Sequence, residues 1–181
     1  LETYFVYLCT HVLCNAHHLR ELERASELEG QKWAKKMKSF LEKINIAVKK
    51  AGGKFSKKQV KKAHKQYRQI LLAGELECPA NTKTRAQSKA RNLLDRLTAY
   101  EDETLRFTKD VETPFTNNQG ERDLRMNKVQ QKISGCFRTE RGARDFCLIR
   151  SYLSTCRKQG VEPIEALRLL IQGKKPKFME N

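Results

Sequence analysis

Residues 113 to 138, TPFTNNQGERDLRMNKVQQKISGCFR, set one glutamate ahead of a ladder of arginines and lysines. Successive residues of a helix are separated by about 100°, so on a helix opening at Asn118, Glu121, Arg125, Lys128 and Lys132 fall within about 60° of one another. Met126, Val129 and Ile133 form a separate stripe about 100° away. The spacing therefore predicts one apolar face for a core and another presenting a carboxylate among three cations. Two chemistries fit that face. Asn118-x-x-Glu121 matches an N-terminal capping pattern, and Glu121 with Arg125 is an i,i+4 pair contributing about 0.2 to 0.5 kcal/mol. Alternatively the carboxylate is one leg of a site for a hard divalent cation, and the neighbouring cations hold a phosphodiester. Spacing alone does not separate the two.

The elements that must position this segment are read from periodicity and caps. Residues 4 to 14, YFVYLCTHVLC, are rich in β-branched and aromatic side chains and predict one or two short buried strands. From Asn15, a plausible N-cap, Leu19, Leu22, Ala25 and Leu28 recur at helical spacing. Trp33, Met37, Phe40, Leu41, Ile44 and Val48 share a face of a helix over 31–51, stopped by Gly52 and Gly53. Ser56 with Gln59 forms a capping box opening a helix through Val60, Ala63, Tyr67, Ile70 and Leu71, and Cys78-Pro79 ends that unit. A third helix runs from about Ser88 through Ala90, Leu93, Leu94, Leu97 and Tyr100 towards Leu105, and Pro114 closes the block. Beyond the 118 helix comes a break at Ser134-Gly135. A helix from about Gly142 to Lys158 follows, apolar around most of its circumference and so expected in a core. A final short helix starts at Glu162-Pro163.

Charge bounds the partner. The net charge of +16 is concentrated: residues 31 to 70 hold 14 lysines and arginines against the single acid Glu42, a local excess of +13. Such a chain is drawn to polyanions through counterion release, which makes nucleic acid the leading partner. A solvated helical hairpin is the plain reading of that stretch, and a phosphate-tracking surface including Lys57, Lys58, Lys61 and Lys62 is the functional one. Lysines without interleaved aromatics favour backbone contact over base readout. No run of 18 apolar residues and no secretory signal pattern are found, so no membrane partner and a cytosolic location are expected. Six scattered cysteines predict free buried thiols. A start at Leu1 predicts a fragment or a processed chain. Cys14 and His17 form a Cys-x-x-His, but no second ligand pair at finger-like spacing follows, which leaves a structural zinc adaptor as a minor alternative. His64 is expected at the surface of the basic hairpin.

The segment FTNNQGERDLRMNKVQQKISGCFRT, together with CNAHHLRELERA at 14–25 and RSYLSTCRKQG at 150–160, resembles the C-terminal half of bacterial transposases of the insertion-sequence-sixty-six family. The resemblance runs over nearly the whole chain and centres on an Asn-Asn-x-x-Glu-Arg-x-x-Arg pattern. It implies a fold class of α/β, mostly helical over these residues. Here that means the C-terminal part of a ribonuclease-H-like core interrupted by an all-helical insertion. Residues 1–30 would supply strand and helix of the catalytic core, 31–112 the basic insertion, and 113–181 the C-terminal helices carrying the last carboxylate. By motif position Glu121 is expected as that carboxylate, catalytic and metal-binding, in an Asp-Asp-Glu site that uses Mg2+ or Mn2+. DNA contacts are expected from Asn117, Asn118, Arg122, Arg125, Lys128, Lys132 and Arg138, and from His17, His18 and Arg20 in the 14–25 motif.

The chain departs from that pattern in one respect. Its first aspartate is Asp95, inside the helical block, and Asp102, Asp110, Asp123 and Asp145 are equally misplaced for the two upstream acids. One carboxylate cannot hold a pair of ions. The expectation is therefore a DNA transposase fragment, inactive alone, whose complete protein cuts and joins transposon ends in the bacterial cytoplasm among nucleoid DNA, with a homodimer as the candidate assembly. The alternative is a non-enzymatic basic helical module that coats nucleic acid.

Overall fold

The computed structural model describes residues 6–81, 86–133 and 135–180. These divide into two compact units, one running to Asn117 and one from Asn118. Among the described residues both units are built from helices and turns without strands.

The first unit contains α1 (Asn15–Leu28), α2 (Lys32–Lys50), α3 (Lys57–Glu77), α4 (Lys89–Ala99) and α5 (Glu101–Leu105), followed by a 3-10 turn at Arg106–Thr108. Apolar residues three and four apart give each long helix one face to bury. Trp33, Met37 and Leu41 of α2 meet Tyr67 and Leu71 of α3, Leu93, Leu94 and Leu97 of α4, and Leu22 and Ala25 of α1 in one core. Full burial of a Leu or Met side chain stabilises by about 1.5 to 3 kcal/mol, so this shared core holds α1 to α4 together. At Gly74 the approach is so close that a Cβ would lie 2.8 Å from a Leu94 methyl and 3.1 Å from the Trp33 ring.

The caps follow the sequence closely. Ser56 Oγ accepts the Gln59 N–H while Gln59 Oε1 accepts the Ser56 N–H at 2.9 Å, completing the box at the start of α3. Gly52 and Gly53, at φ 80° and 95°, take the left-handed conformation that ends α2 at little cost. One cap is not local. The carboxylate of Glu77, at the end of α3, accepts the N–H groups of Lys32 at 2.5 Å and Trp33 at 2.9 Å, and so supplies the open first turn of α2 with an anion. Arg91, buried, ties α3 to α4: it donates to Glu75, to Asp95 and to the Cys78 carbonyl.

Several expectations are corrected here. The strand expected over 4–14 falls partly on residues outside those described, and residues 6–14 form bends and irregular chain. A strand needs a neighbour to take up its backbone donors and acceptors, and no strand lies among the described residues to serve as one. Asn15 is not the N-cap of α1 but its first residue. Its buried side chain donates to the Thr104 carbonyl at 3.0 Å and meets the His18 ring, while Cys14 holds the cap position without a side-chain bond. The third helix breaks at Tyr100, so Glu101–Leu105 is a separate turn. His64 is half-buried, 2.5 Å from Glu101 Oε1, because Arg68 also draws Glu101 onto α3. All six cysteines are free, but only Cys78 and Cys156 are buried.

The second unit contains α6 (Asn118–Ile133), α7 (Glu140–Lys158), α8 (Pro163–Ile171) and a 3-10 turn at Lys177–Met179. Thr139 Oγ1 accepts the Gly142 N–H at 3.0 Å and opens α7, and Pro163 sits in the first turn of α8. Helices α7 and α8 meet at the buried pair Cys156 and Ala166, where the Tyr152 hydroxyl donates to the Ala166 carbonyl at 2.8 Å. The core placement expected for α7 is not found: Leu148 and Ile149 are exposed, because α8 covers only one side of that circumference. Likewise the expected buried stripe of α6 is open, with Ile133 78% and Met126 39% exposed.

Candidate catalytic helix and nucleic-acid interface

Helix α6 forms where the spacing places it, and Glu121 lies in its first turn. Glu121, Arg122, Arg125, Lys128 and Lys132 are all exposed on it. The orientation of the helix in its own unit is fixed by Asp123. One carboxylate oxygen of Asp123 accepts from Ser154 Oγ at 3.0 Å and from Gln119 Nε2 at 3.1 Å, and the other accepts from Lys158 Nζ at 2.6 Å. Its carboxyl is held below the ordinary range, first by the Lys158 bond and then by the two neutral donors. Residues two apart project about 200° apart on a helix, so binding Asp123 to α7 turns Glu121 to the side of α6 away from α7. The cationic ladder at Arg125, Lys128 and Lys132 goes with it.

Asn118 is the first residue of α6, and Arg138 is exposed in the segment leading to α7. That segment turns through Gly135 at φ 64° and Cys136 at φ 87°. The remaining expected contacts lie in the first unit. Asn117 ends it, its N–H donating to Cys14 Sγ at 3.2 Å. His17 and Arg20 are exposed on α1, with Arg20 Nε bonded to the Ala16 carbonyl. Lys57, Lys58, Lys61 and Lys62 are exposed on the first turns of α3 and form a cationic strip.

His18 stands apart. It is buried, and its Nδ1 lies 3.3 Å from Asn15 Oδ1. The Asn15 amide nitrogen already donates to Thr104, so Oδ1 is the acceptor and His18 Nδ1 carries the hydrogen. Burial lowers the His18 pKa to about 4, with Arg96 and then His17 adding repulsion. A neutral, enclosed imidazole of this kind suits anchoring α1 to the 104 region better than gripping a phosphate.

The aspartates are all engaged locally. Asp95 accepts from Arg91 at 2.5 Å, Asp102 lies 3.5 Å from Lys109, and Asp110 accepts from Thr113 Oγ1 at 2.7 Å and from the Glu112 N–H. Asp123 is held as described, and Asp145 lies 3.8 Å from Arg141. The sequence missed the Asp123 network. Its only sequence signals are the i,i+4 pairs Gln119/Asp123 and Ser154/Lys158, and the register of α6 on α7 that joins them is not written in either helix.

Comparison with known proteins adds the family. The sequence pattern of the Transposase IS66 family matches residues 2–145. The chain belongs to the IS66 family of transposases. The match takes in all of the first unit from residue 2, all of α6 with Glu121, and the first turns of α7 in this IS66 chain. No curated protein and no solved structure matches it. Among the described residues no helix is long and apolar enough to cross a membrane.

Proposed function

We infer that this IS66 chain carries the C-terminal part of a DNA-strand-transfer core of the Asp-Asp-Glu class, with Glu121 as its late carboxylate. One observation supports this most. The single acid of the cationic face is exposed on α6 and turned away from α7, within the stretch that matches the family. In that reading residues 31–112 are a helical insertion in a ribonuclease-H-like core, and 1–30 and 113–181 belong to the core itself. The uncovered apolar residues of the second unit, Leu148 and Ile149 on α7 with Ile164 and Ile171 on α8, are the kind of surface a sheet covers.

A pair of Mg2+ or Mn2+ ions would activate the attacking oxygen and stabilise the leaving one. The residues of this chain do not suffice for that pair, because each aspartate is engaged by a local partner and Glu121 offers one carboxylate. The other two acids come from elsewhere in the complete protein, and this chain alone is inactive. What its own residues do is present Glu121 rigidly and surround it with Arg125, Lys128 and Lys132, whose charge offsets that of a phosphodiester. In the second unit Asn118 and Arg138 extend the DNA contact, and in the first unit Asn117, His17, Arg20 and the α3 lysines hold DNA by its backbone. The partners are transposon ends and target DNA in the bacterial cytoplasm, engaged by a homodimer.

In the complete protein, Glu121→Gln is expected to abolish strand transfer, by a factor of about 10³ or more, while DNA affinity changes less than twofold. Retention of strand transfer would remove Glu121 from catalysis. The second reading, a basic module that only coats nucleic acid, is favoured by the exposed lysines, and it predicts that no version of the protein cuts DNA.

A further inference from the structure

Within the second unit, α6, α7 and the start of α8 enclose an open cleft of about 470 Å³. Its lining carries Arg122 from α6 and Arg150, Arg157 and Lys158 from α7, against the single acid Asp123. That acid already accepts from Lys158, Ser154 and Gln119, and the Lys158 ammonium balances its charge. The three guanidiniums therefore face a cavity in which no carboxylate is left to neutralise them. Arg150 and Arg157 are seven residues apart, on one face of α7 and separated by about 10 Å along its axis. Elsewhere on the unit, Arg168 of α8 pairs with Glu165 at 3.0 Å.

We propose that this cleft is a second DNA-binding site, separate from the Glu121 face, in which Arg122, Arg150 and Arg157 grip successive phosphates of one strand. The proposal rests on the reading of the chain as a DNA-handling protein. The guanidinium fork matches phosphate oxygens in pairs, and the spacing of Arg150 and Arg157 suits a run of phosphates more than one isolated anion. Among the described residues the lining holds no aromatic ring, so bases are not stacked there and the grip is independent of sequence. The Lys158–Asp123 ion pair keeps α6 and α7 at the separation the cleft requires. Arg150 and Arg157 lie beyond the stretch that matches the family.

The test is the affinity of the 181-residue chain for labelled random-sequence oligonucleotides, measured between about 50 and about 200 mM salt. Arg150→Gln/Arg157→Gln should bind at least about tenfold more weakly at the lower salt. The slope of log affinity against log salt should become shallower by about 1.8 on duplex and about 1.4 on single strands. Arg141→Gln/Arg144→Gln removes the same charge from α7 outside the cleft and should change affinity less than about threefold. Wild-type slope in the cleft variant, or an equal loss in the control, would overturn the site. On the unaltered chain, the Nε–Hε signals of Arg122, Arg150 and Arg157 should shift on adding oligonucleotide, and their constancy would also overturn it. Glu121→Gln should leave this binding intact. An active Glu121→Gln protein would thus remove the catalytic reading and spare the cleft, whereas wild-type binding by the cleft variant would remove the cleft and spare Glu121.

Discussion

His18 shows how one enclosed side chain sets a pH limit on the first unit. Its pKa is lowered from the usual 6.5 to about 4 by burial, so below pH 6.5 the unfolded chain takes up a proton that the folded chain refuses. The unfolded state then binds more protons, and stability falls as the pH drops from 6.5 towards 4, by up to about 3 kcal/mol. Asp110 and Asp123, whose carboxyls are held below the ordinary 3.8, lose their contribution only at lower pH, so the two windows are distinct. Chemical denaturation of the wild type and of His18→Gln across that range should give curves that diverge between pH 7 and pH 4, the wild type falling more steeply. Parallel curves would mean that the ring is not kept neutral by its burial. Where an aspartate or histidine stands in the chain is plain to read; which carbonyl or cation occupies it is not. Asn15 looked like a cap because its own neighbours favour one, and it lies buried instead because Thr104, 89 positions on, offers a carbonyl.

At the scale of elements, α2 and α3 were readable because everything that specifies them is local: apolar spacing, a capping box, and paired glycines. The exposed apolar sides of α6 and α7 were misread for the opposite reason. A hydrophobic stripe records that a face is to be covered but says nothing of whether a partner among these residues covers it. The same limit hid the packing at Gly74, where the helical pattern shows only a weak helix former. Alanine there would gain about 1 kcal/mol of helix propensity, yet its methyl would lie 2.8 Å from a Leu94 methyl and 3.1 Å from the Trp33 ring, both fully buried. Overpacking of about 1 to 3 kcal/mol outweighs the gain, so Gly74→Ala should lower the thermal midpoint by several degrees. An unchanged or raised midpoint would show that α3 can shift away from Trp33. Glu77→Gln tests the cap that joins the same two helices: loss of its charge at the first turn of α2 should cost about 0.5 to 1 kcal/mol, read by urea denaturation.

For the molecule as a whole, the excess of +13 over residues 31 to 70 dominates. Ion pairs such as Lys38 with Glu23 and Arg68 with Glu101 absorb few of these charges, and the lysines at the start of α3 stand exposed beside one another. Repulsion among them opposes folding and is screened by salt. Raising ionic strength from about 10 to about 300 mM should therefore raise the thermal midpoint while weakening the grip on DNA. Replacing Lys57, Lys58, Lys61 and Lys62 with glutamine should raise the low-salt midpoint, flatten its dependence on salt, and lower DNA affinity. A midpoint indifferent to salt would show that the lysines lie too far apart to repel.

If the strip on α3 holds DNA as proposed, polynucleotides gain a thermodynamic role besides that contact. On the proposed reading, phosphates laid along it would replace the small ions that otherwise mask the lysines, so a bound strand would act as a chaperone-like ligand for the helices beneath it. Released from its polymer in dilute buffer, the hairpin is at its most fragile.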